Sequence, residues 1–166
     1  AFGLKDQVSK SISLKDIHKS STGLTNKDYY DWDSVAYNST LSYSPDLVFI
    51  HMGGNDGQDM KVGNKFIKLY TKEWEENYYN RVLELIASIK RANHNSKIVW
   101  IGLPGMRDAK YEKKTAIIRE IQKQGALDSK VEFLDAGDAI GHTYIKQEKI
   151  NGKMLDLRRK DGIHYS

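Results

Sequence analysis

The chain has 166 residues, a length that one domain accommodates. Hydrophobic residues make up 39% of it, enough for one core, which excludes a wholly disordered chain. The absence of cysteine excludes disulfides, thiolate zinc sites and cysteine nucleophiles. A net charge of +4, spread along the chain, indicates a solvated surface rather than a nucleic-acid interface. The longest apolar runs are far shorter than the ~20 residues that span a bilayer, so we expect no membrane span.

The first eighteen residues predict a short helix and a weak strand. Phe2, Leu4 and Val8 have helical spacing, and residues 14–18 predict an edge strand. An open α/β sheet normally feeds each helix from a preceding strand, with the active site at the carboxyl ends of the strands. We therefore expect that a first strand and a first catalytic loop are missing from this chain, and that the domain is truncated at both ends.

Three short apolar runs predict the strands of a parallel sheet. They cover residues 46–51, 97–102 and 130–135, and the first two are typical of strands buried on both faces. A helix of about 20 residues is predicted after Thr71, its N-cap, and a second over residues 109–124 that Gly125 ends. Trp74 and Trp100 fit the helix stripe and the central strand, so we expect them in the core.

This alternation of strands and helices predicts an α/β domain with a mostly parallel sheet covered on both faces. Near the C-terminus, Asn151-Gly152 separates residues 145–150 from residues 153–157. Asn-Gly between two such runs is a strong signal for a β-hairpin. We expect this hairpin as an excursion from the sheet.

Asp161 and His164 form a candidate catalytic pair. A carboxylate three residues before an imidazole can accept its Nδ1–H, which leaves Nε2 free as a base. The same spacing also fits a turn aspartate beside a surface histidine. No two histidines fall at metal-ligand spacing, so we expect no metal.

Two glycine-containing loops are candidates for an oxyanion hole. Gly53-Gly-Asn55-Asp follows the strand that ends at His51, and its asparagine offers a neutral donor for a developing oxyanion. Gly23, in the loop of residues 20–25, offers a backbone N–H to the same hole. An ordinary turn explains either loop equally well from its sequence alone.

Together these segments resemble the SGNH (GDSL-like) hydrolase superfamily, and most closely the bacterial DUF459 subgroup. Gly23 matches the family's second motif, Gly53-Gly-Asn55-Asp its third and Asp161-Gly-Ile-His164 its fifth. The longer matches to DUF459 are Ser20-Ser-Thr-Gly-Leu, Tyr30-Asp-Trp32, Gly53-Gly-Asn-Asp-Gly-Gln-Asp59, Gly102-Leu-Pro-Gly-Met-Arg107 and Arg158-Arg-Lys-Asp-Gly-Ile-His164.

The resemblance implies a flavodoxin-like three-layer α/β/α fold and ester hydrolysis without a metal or organic cofactor. His164 would be the general base, oriented by Asp161, while the Gly23 N–H, the Asn55 amide and the serine's own N–H would bind the oxyanion. The family's first motif, Gly-Asp-Ser, occurs nowhere in the chain. We therefore expect the nucleophilic serine upstream of these residues and the chain by itself to be inactive.

Three further features have two interpretations each. Trp32 is a sugar-stacking platform or a loop anchor. Arg107, after the strand that ends near Leu103, binds an anionic group of the substrate or makes a surface salt bridge. The basic run of residues 158–160 reads as solvated surface beside Asp161.

The leading functional hypothesis is a periplasmic or secreted bacterial esterase for O-acetyl groups, such as those of a cell-envelope polysaccharide. Its partner would be a small ester or an acetylated carbohydrate, with no nucleic acid. The alternative is a non-catalytic module that binds acylated glycans or a protein. A flavodoxin-like nucleotide binder fits less well, because no glycine-rich phosphate loop occurs.

Overall fold

A computed structural model of the protein describes residues 11–166, and the helix expected in the first ten residues lies outside them. The elements in chain order are α1 (Trp32–Tyr43), β1 (Leu47–Ile50), β2 (Met60–Val62), β3 (Lys65–Ile67), α2 (Lys72–Ala92), β4 (Lys97–Ile101), α3 (Ala109–Asp128), β5 (Glu132–Leu134), α4 (Ala136–Ile140), β6 (Gln147–Ile150) and β7 (Lys153–Asp156). Among the residues described, no helix combines the length and the apolar character that a membrane crossing requires.

Strands β1, β4 and β5 form a parallel sheet in that order. Ile50 lies opposite Trp100, and Trp100 lies opposite Phe133. Neighbouring parallel strands must be joined by a long crossover connection. Helix α2 lies in the connection from β1 to β4, and helix α3 in the connection from β4 to β5. This arrangement confirms the predicted α/β class with its parallel sheet and flavodoxin-like α/β/α fold.

The core forms where α2 packs on α3 and the sheet. Thr71 caps α2 as predicted, since its side chain accepts a hydrogen bond from the Trp74 backbone at 3.2 Å. Trp74 and Tyr78, one helical turn apart, are fully buried with their rings stacked at a centroid distance of 5.0 Å. Trp100 of β4 is also fully buried, so both tryptophans expected in the core are there.

Helix α3 is longer than predicted, because Gly125 does not end it. The helix continues to Asp128, and a Cβ built on Gly125 would lie 2.6 Å from Val82 Cγ1 on α2. Glycine at this position allows α2 and α3 to approach closely, which a side chain would prevent. Gly125 therefore allows the two helices to pack closely and does not mark the end of α3.

Two expectations about the strands were wrong. Strand β1 is not buried on both faces: Leu47 is 43% exposed and Phe49 49% exposed, since β1 lies at one end of the described sheet. Residues 14–18 form no strand. Ile17 is 43% exposed and its charged neighbours face solvent, so this segment has little apolar surface to hold it against a sheet.

The sequence also left some elements unassigned. The hairpin of β2 and β3, helix α1 and the five-residue helix α4 were not predicted. The C-terminal hairpin of β6 and β7 is confirmed. Asn151 and Gly152 have φ values of 51° and 82°, as a two-residue turn of type I′ requires.

Candidate active site

The loop after β1 is shaped by a close approach of its backbone to helix α3. Gly53 has φ of 120°, and a Cβ there would lie 2.5 Å from the Gln122 side chain and 3.0 Å from Ile118. Only glycine combines this φ with this proximity. Tyr111 of α3 donates a hydrogen bond to the Gly54 carbonyl, which fixes the next residue of the loop.

Asp56 ties this loop to the loop of residues 20–25. Its buried carboxylate accepts hydrogen bonds from the Thr25 backbone at 3.0 Å and the Thr25 hydroxyl at 3.1 Å. Tyr78 donates a third at 2.8 Å. A Cβ on Gly23 would lie 2.0 Å from Asp56 Oδ1, so Gly23 is required for this contact.

Burial raises the pKa of Asp56, while the donors from Thr25 and Tyr78 oppose that rise. Burial and the neighbouring Asp56 carboxylate raise the pKa of Tyr78 well above its ordinary value, so its hydroxyl stays a donor. Gln122 donates to Tyr78 Oη at 2.9 Å and accepts from Trp100 Nε1 at 3.2 Å. A buried polar network therefore holds the two loops rigidly against the core.

Within this framework, Asn55 contacts the loop that contains Gly23. Asn55 Nδ2 donates to the Thr22 carbonyl at 3.2 Å, which places the amide beside the neighbouring Gly23. An amide has two N–H bonds, so one remains for a ligand. The Gly23 N–H has no hydrogen-bond partner among residues 11–166. The C=O and the N–H of a trans peptide point in opposite directions, so this contact with Thr22 does not direct the Gly23 N–H toward the Asn55 amide.

Asp161 and His164 form the predicted pair. Asp161 Oδ2 lies 2.9 Å from His164 Nδ1, and Asp161 Oδ1 accepts from the backbone N–H groups of Ile163 at 2.8 Å and His164 at 3.0 Å. These hydrogen bonds, led by that from His164, lower the pKa of Asp161, which therefore stays ionised in mild acid. The carboxylate favours the His164 tautomer with its proton on Nδ1, and the imidazole is 69% exposed.

Arg158 holds the loop of this pair in place, and the expectation that it is solvated was wrong. Its side chain is 2% exposed and donates to the carbonyls of Gly105 and Ile163, each at 2.8 Å, and of Gly162 at 3.3 Å. The guanidinium connects the loop after β4 to the residue before His164. No local pattern indicates this burial, because a run of three cations is usually exposed.

Arg107 and Trp32 also contact the loops of the candidate site. Arg107 Nη2 donates to the Asp161 carbonyl at 3.2 Å, a contact with the backbone rather than a salt bridge. Trp32 begins α1, and its Nε1 donates to Thr22 Oγ1 at 3.1 Å. The contact of Trp32 favours its interpretation as a loop anchor over a sugar-stacking platform.

A cluster with metal-ligating atoms lies outside this site, around helix α4. The side chains of Asp135, Asp138 and His142 have ligand atoms within 4.8 Å of one another. Asp135 caps α4 by accepting from Gly137, and His142 Nε2 lies 3.1 Å from Asp138 Oδ1. Histidine spacing does not reveal this group, because its ligand atoms come from one histidine and two aspartates. These groups already contact one another, so the cluster is accounted for without an ion.

The fold and the site define an α/β domain with a parallel sheet, in which a carboxylate-imidazole pair and an asparagine amide lie in loops. The whole chain, residues 1–166, matches the family described as "Protein of unknown function (DUF459)". The protein therefore belongs to the DUF459 family, which confirms the resemblance seen in its motifs. No curated protein matches the chain in sequence.

Two solved structures share this fold. A peptidoglycan O-acetylesterase is 17% identical, with 88% of this chain and 39% of that chain covered and a TM-score of 0.56. A carbohydrate esterase of family 3 from Talaromyces cellulolyticus is 13% identical, with 89% of this chain and 60% of that chain covered and a TM-score of 0.55. The chain thus spans less than two thirds of either relative, and at such identities the likeness shows the fold alone.

Proposed function

We propose that these residues supply the base and the oxyanion hole of an SGNH-type serine esterase that removes acetyl groups from a carbohydrate. The observation that carries the proposal is the distance of 2.9 Å between Asp161 Oδ2 and His164 Nδ1, next to an exposed imidazole. The two proteins that share the fold, a peptidoglycan O-acetylesterase and a carbohydrate esterase, support this choice of reaction. Such a substrate in the cell envelope would place the protein in the periplasm or outside the cell.

In the proposed reaction, His164 Nε2 takes the proton of a serine hydroxyl while the serine oxygen attacks the acetyl carbonyl carbon. Asp161 stabilises the imidazolium that forms. The Asn55 amide and the Gly23 N–H donate to the oxyanion of the tetrahedral intermediate. His164 then protonates the departing sugar oxygen, and water activated by the same imidazole releases acetate from the serine.

The serine itself is proposed to come from outside these 166 residues. No Gly-Asp-Ser occurs among them. Strand β1 ends the described sheet, so its outer backbone edge is open to pairing with an added strand. Leu47 and Phe49 lie on one face of β1 and are exposed, as a face without a covering element would be. The alternative function, a non-catalytic module that binds acylated glycans, also follows from the absence of this motif, and the two functions differ in whether any serine reacts.

The test uses the full-length protein, a small acetyl ester and a fluorophosphonate that labels activated serines. We expect turnover and labelling of one serine outside residues 1–166, both lost in His164→Ala. The control is His94→Ala, since His94 is also exposed but lies at the end of α2, away from the loops. A protein that shows neither turnover nor labelling would support the binding module. Labelling of a serine within residues 1–166 would contradict the assignment of the nucleophile.

A further inference from the structure

The net positive charge of the protein comes from one segment, whereas we expected it to be spread along the chain. Residues 146–160, here called the basic segment, contain six Lys or Arg and two Asp or Glu, a net charge of +4. The rest of the chain carries twenty residues of each sign and is neutral overall. The basic segment thus contains the whole net charge of the protein, and it leads directly into Asp161.

Among the described residues, no carboxylate forms an ion pair with the exposed cations of the basic segment. Elsewhere, lysines commonly pair with acidic side chains, as Lys27, Lys61, Lys65, Lys68, Lys72 and Lys97 do. In residues 11–166, no ion pair involves Lys146, Lys149, Lys153, Arg159 or Lys160. A group of cations without neighbouring carboxylates produces a local positive potential, which attracts an anionic ligand.

Three of these cations line a groove beside the candidate catalytic pair. The groove has a volume of about 540 Å³, and three exposed cations, Lys146, Arg159 and Lys160, line it together with the carboxylates of Asp156 and Asp161. Asp156 Oδ1 accepts a hydrogen bond from Gln147 Nε2 at 2.8 Å. The charge of Asp161 is engaged by His164 and by two backbone N–H groups, so it opposes an incoming anion less than a free carboxylate would. The groove therefore runs from the β6–β7 hairpin to the acid of the pair.

We propose that the basic segment binds an acidic polysaccharide that carries carboxylates along its chain, with the acetyl ester of one sugar at His164. This inference rests on the proposed function and adds the class of polymer. Carboxylates on sugars beside the acetylated one would meet Lys146, Arg159 and Lys160 in the groove. The lysines of the hairpin, Lys149 and Lys153, would extend the contact to more distant sugars.

Two other polyanions fit the basic segment less well. Single-stranded nucleic acids are usually held by aromatic side chains that stack on bases, and residues 146–160 contain none. An anionic bilayer would suit the exposed Met154 and Leu155 of β7, but a flat surface does not enter a groove. A flexible chain of sugars reaches both the hairpin and the groove.

The binding test uses the full-length protein with polygalacturonate as the acidic polymer and dextran as the neutral one. The groove variant is K146Q/R159Q/K160Q. The matched control, K72Q/K110Q/K123Q, removes three exposed lysines from α2 and α3, and circular dichroism checks that both variants are folded. We expect the groove variant to raise the Kd for polygalacturonate by at least roughly fivefold, and the control to change it little. Added salt should weaken binding by the original protein more than by the groove variant.

An activity test separates this inference from the proposed function. Its readout is the ratio of kcat/KM on acetylated polygalacturonate to kcat/KM on a small neutral acetyl ester, which should fall at least roughly fivefold in the groove variant. An unchanged ratio, equal binding of dextran, or tighter binding of anionic phospholipid vesicles or single-stranded DNA than of polygalacturonate would overturn the inference. A protein inactive on both esters would contradict the proposed function, and polymer binding would still decide the class of ligand.

Discussion

Replacing Arg158 by methionine removes the guanidinium that joins two loops of the candidate site while keeping a side chain of similar length. The change removes the 2.8 Å donor of the buried Gly105 carbonyl and that of the partly buried Ile163 carbonyl. Each hydrogen bond from a charged group contributes about 1.5–3 kcal/mol. Relief from burying a cation offsets part of this loss, because no carboxylate pairs with Arg158 among the described residues. We expect Arg158→Met to lower the free energy of unfolding by about 3 kcal/mol.

Urea unfolding followed by circular dichroism measures this change in free energy. For a chain of this size, about 3 kcal/mol corresponds to a fall in Tm of about 6–12 °C. Arg159→Met is the matched control: Arg159 is the exposed neighbour, and we expect its free energy of unfolding to change by less than about 0.5 kcal/mol. Equal effects of the two substitutions would refute the argument that burial and the three carbonyl contacts make Arg158 a structural clamp.

Three further predictions concern the loops that Arg158 and the core hold in place. Asn55→Ala in the full-length protein should lower kcat on a small acetyl ester by roughly 10²–10³-fold with little change in KM, and a change confined to KM would make Asn55 a substrate-binding residue. Asp161→Asn should lower the Tm at neutral pH. Because Asp161 has a lowered pKa, its stabilising effect is present above the ordinary carboxyl range and is lost as the pH falls through the folded-state pKa. The difference in Tm from the original protein should therefore shrink in strong acid, and a difference independent of pH would contradict the ionised pair. Gly53→Ala should destabilise by about 1–3 kcal/mol in urea unfolding, since φ is 120° and Gln122 lies in the way, whereas Gly152→Ala, with nothing near its Cβ, should cost less.

The elements predicted correctly are those whose signal is local. Thr71 caps α2 through a contact three residues away, and the Asn151-Gly152 turn depends on two φ values. The Asp161–His164 pair closes within four residues, so a short motif contains both partners of the 2.9 Å contact, although the spacing alone also fitted a turn aspartate beside a surface histidine. Short runs of hydrophobic residues also located β1, β4 and β5, because the strands of parallel sheets are rich in apolar residues.

The errors occur where a residue's role depends on a distant part of the chain. Gly125 has the local appearance of a helix end, but Val82 on another helix decides its role. Arg158 lies in a basic run, and carbonyls more than fifty residues earlier along the chain, as at Gly105, determine its burial. Asp56 was part of a predicted motif, yet its function as the link to Thr25 and Tyr78 required the folded arrangement.

The sequence by itself determined the α/β class, the family and the residues of the candidate pair, because periodicity, turn chemistry and short motifs are properties of neighbouring residues. Only the tertiary structure decided which side chains hold that site in place, and that unpaired cations line a groove beside Asp161. The physical reason is that burial, hydrogen-bond partners and electrostatic potential depend on distances between segments that are far apart in the chain. Those distances are fixed only when α2 and α3 pack on the sheet.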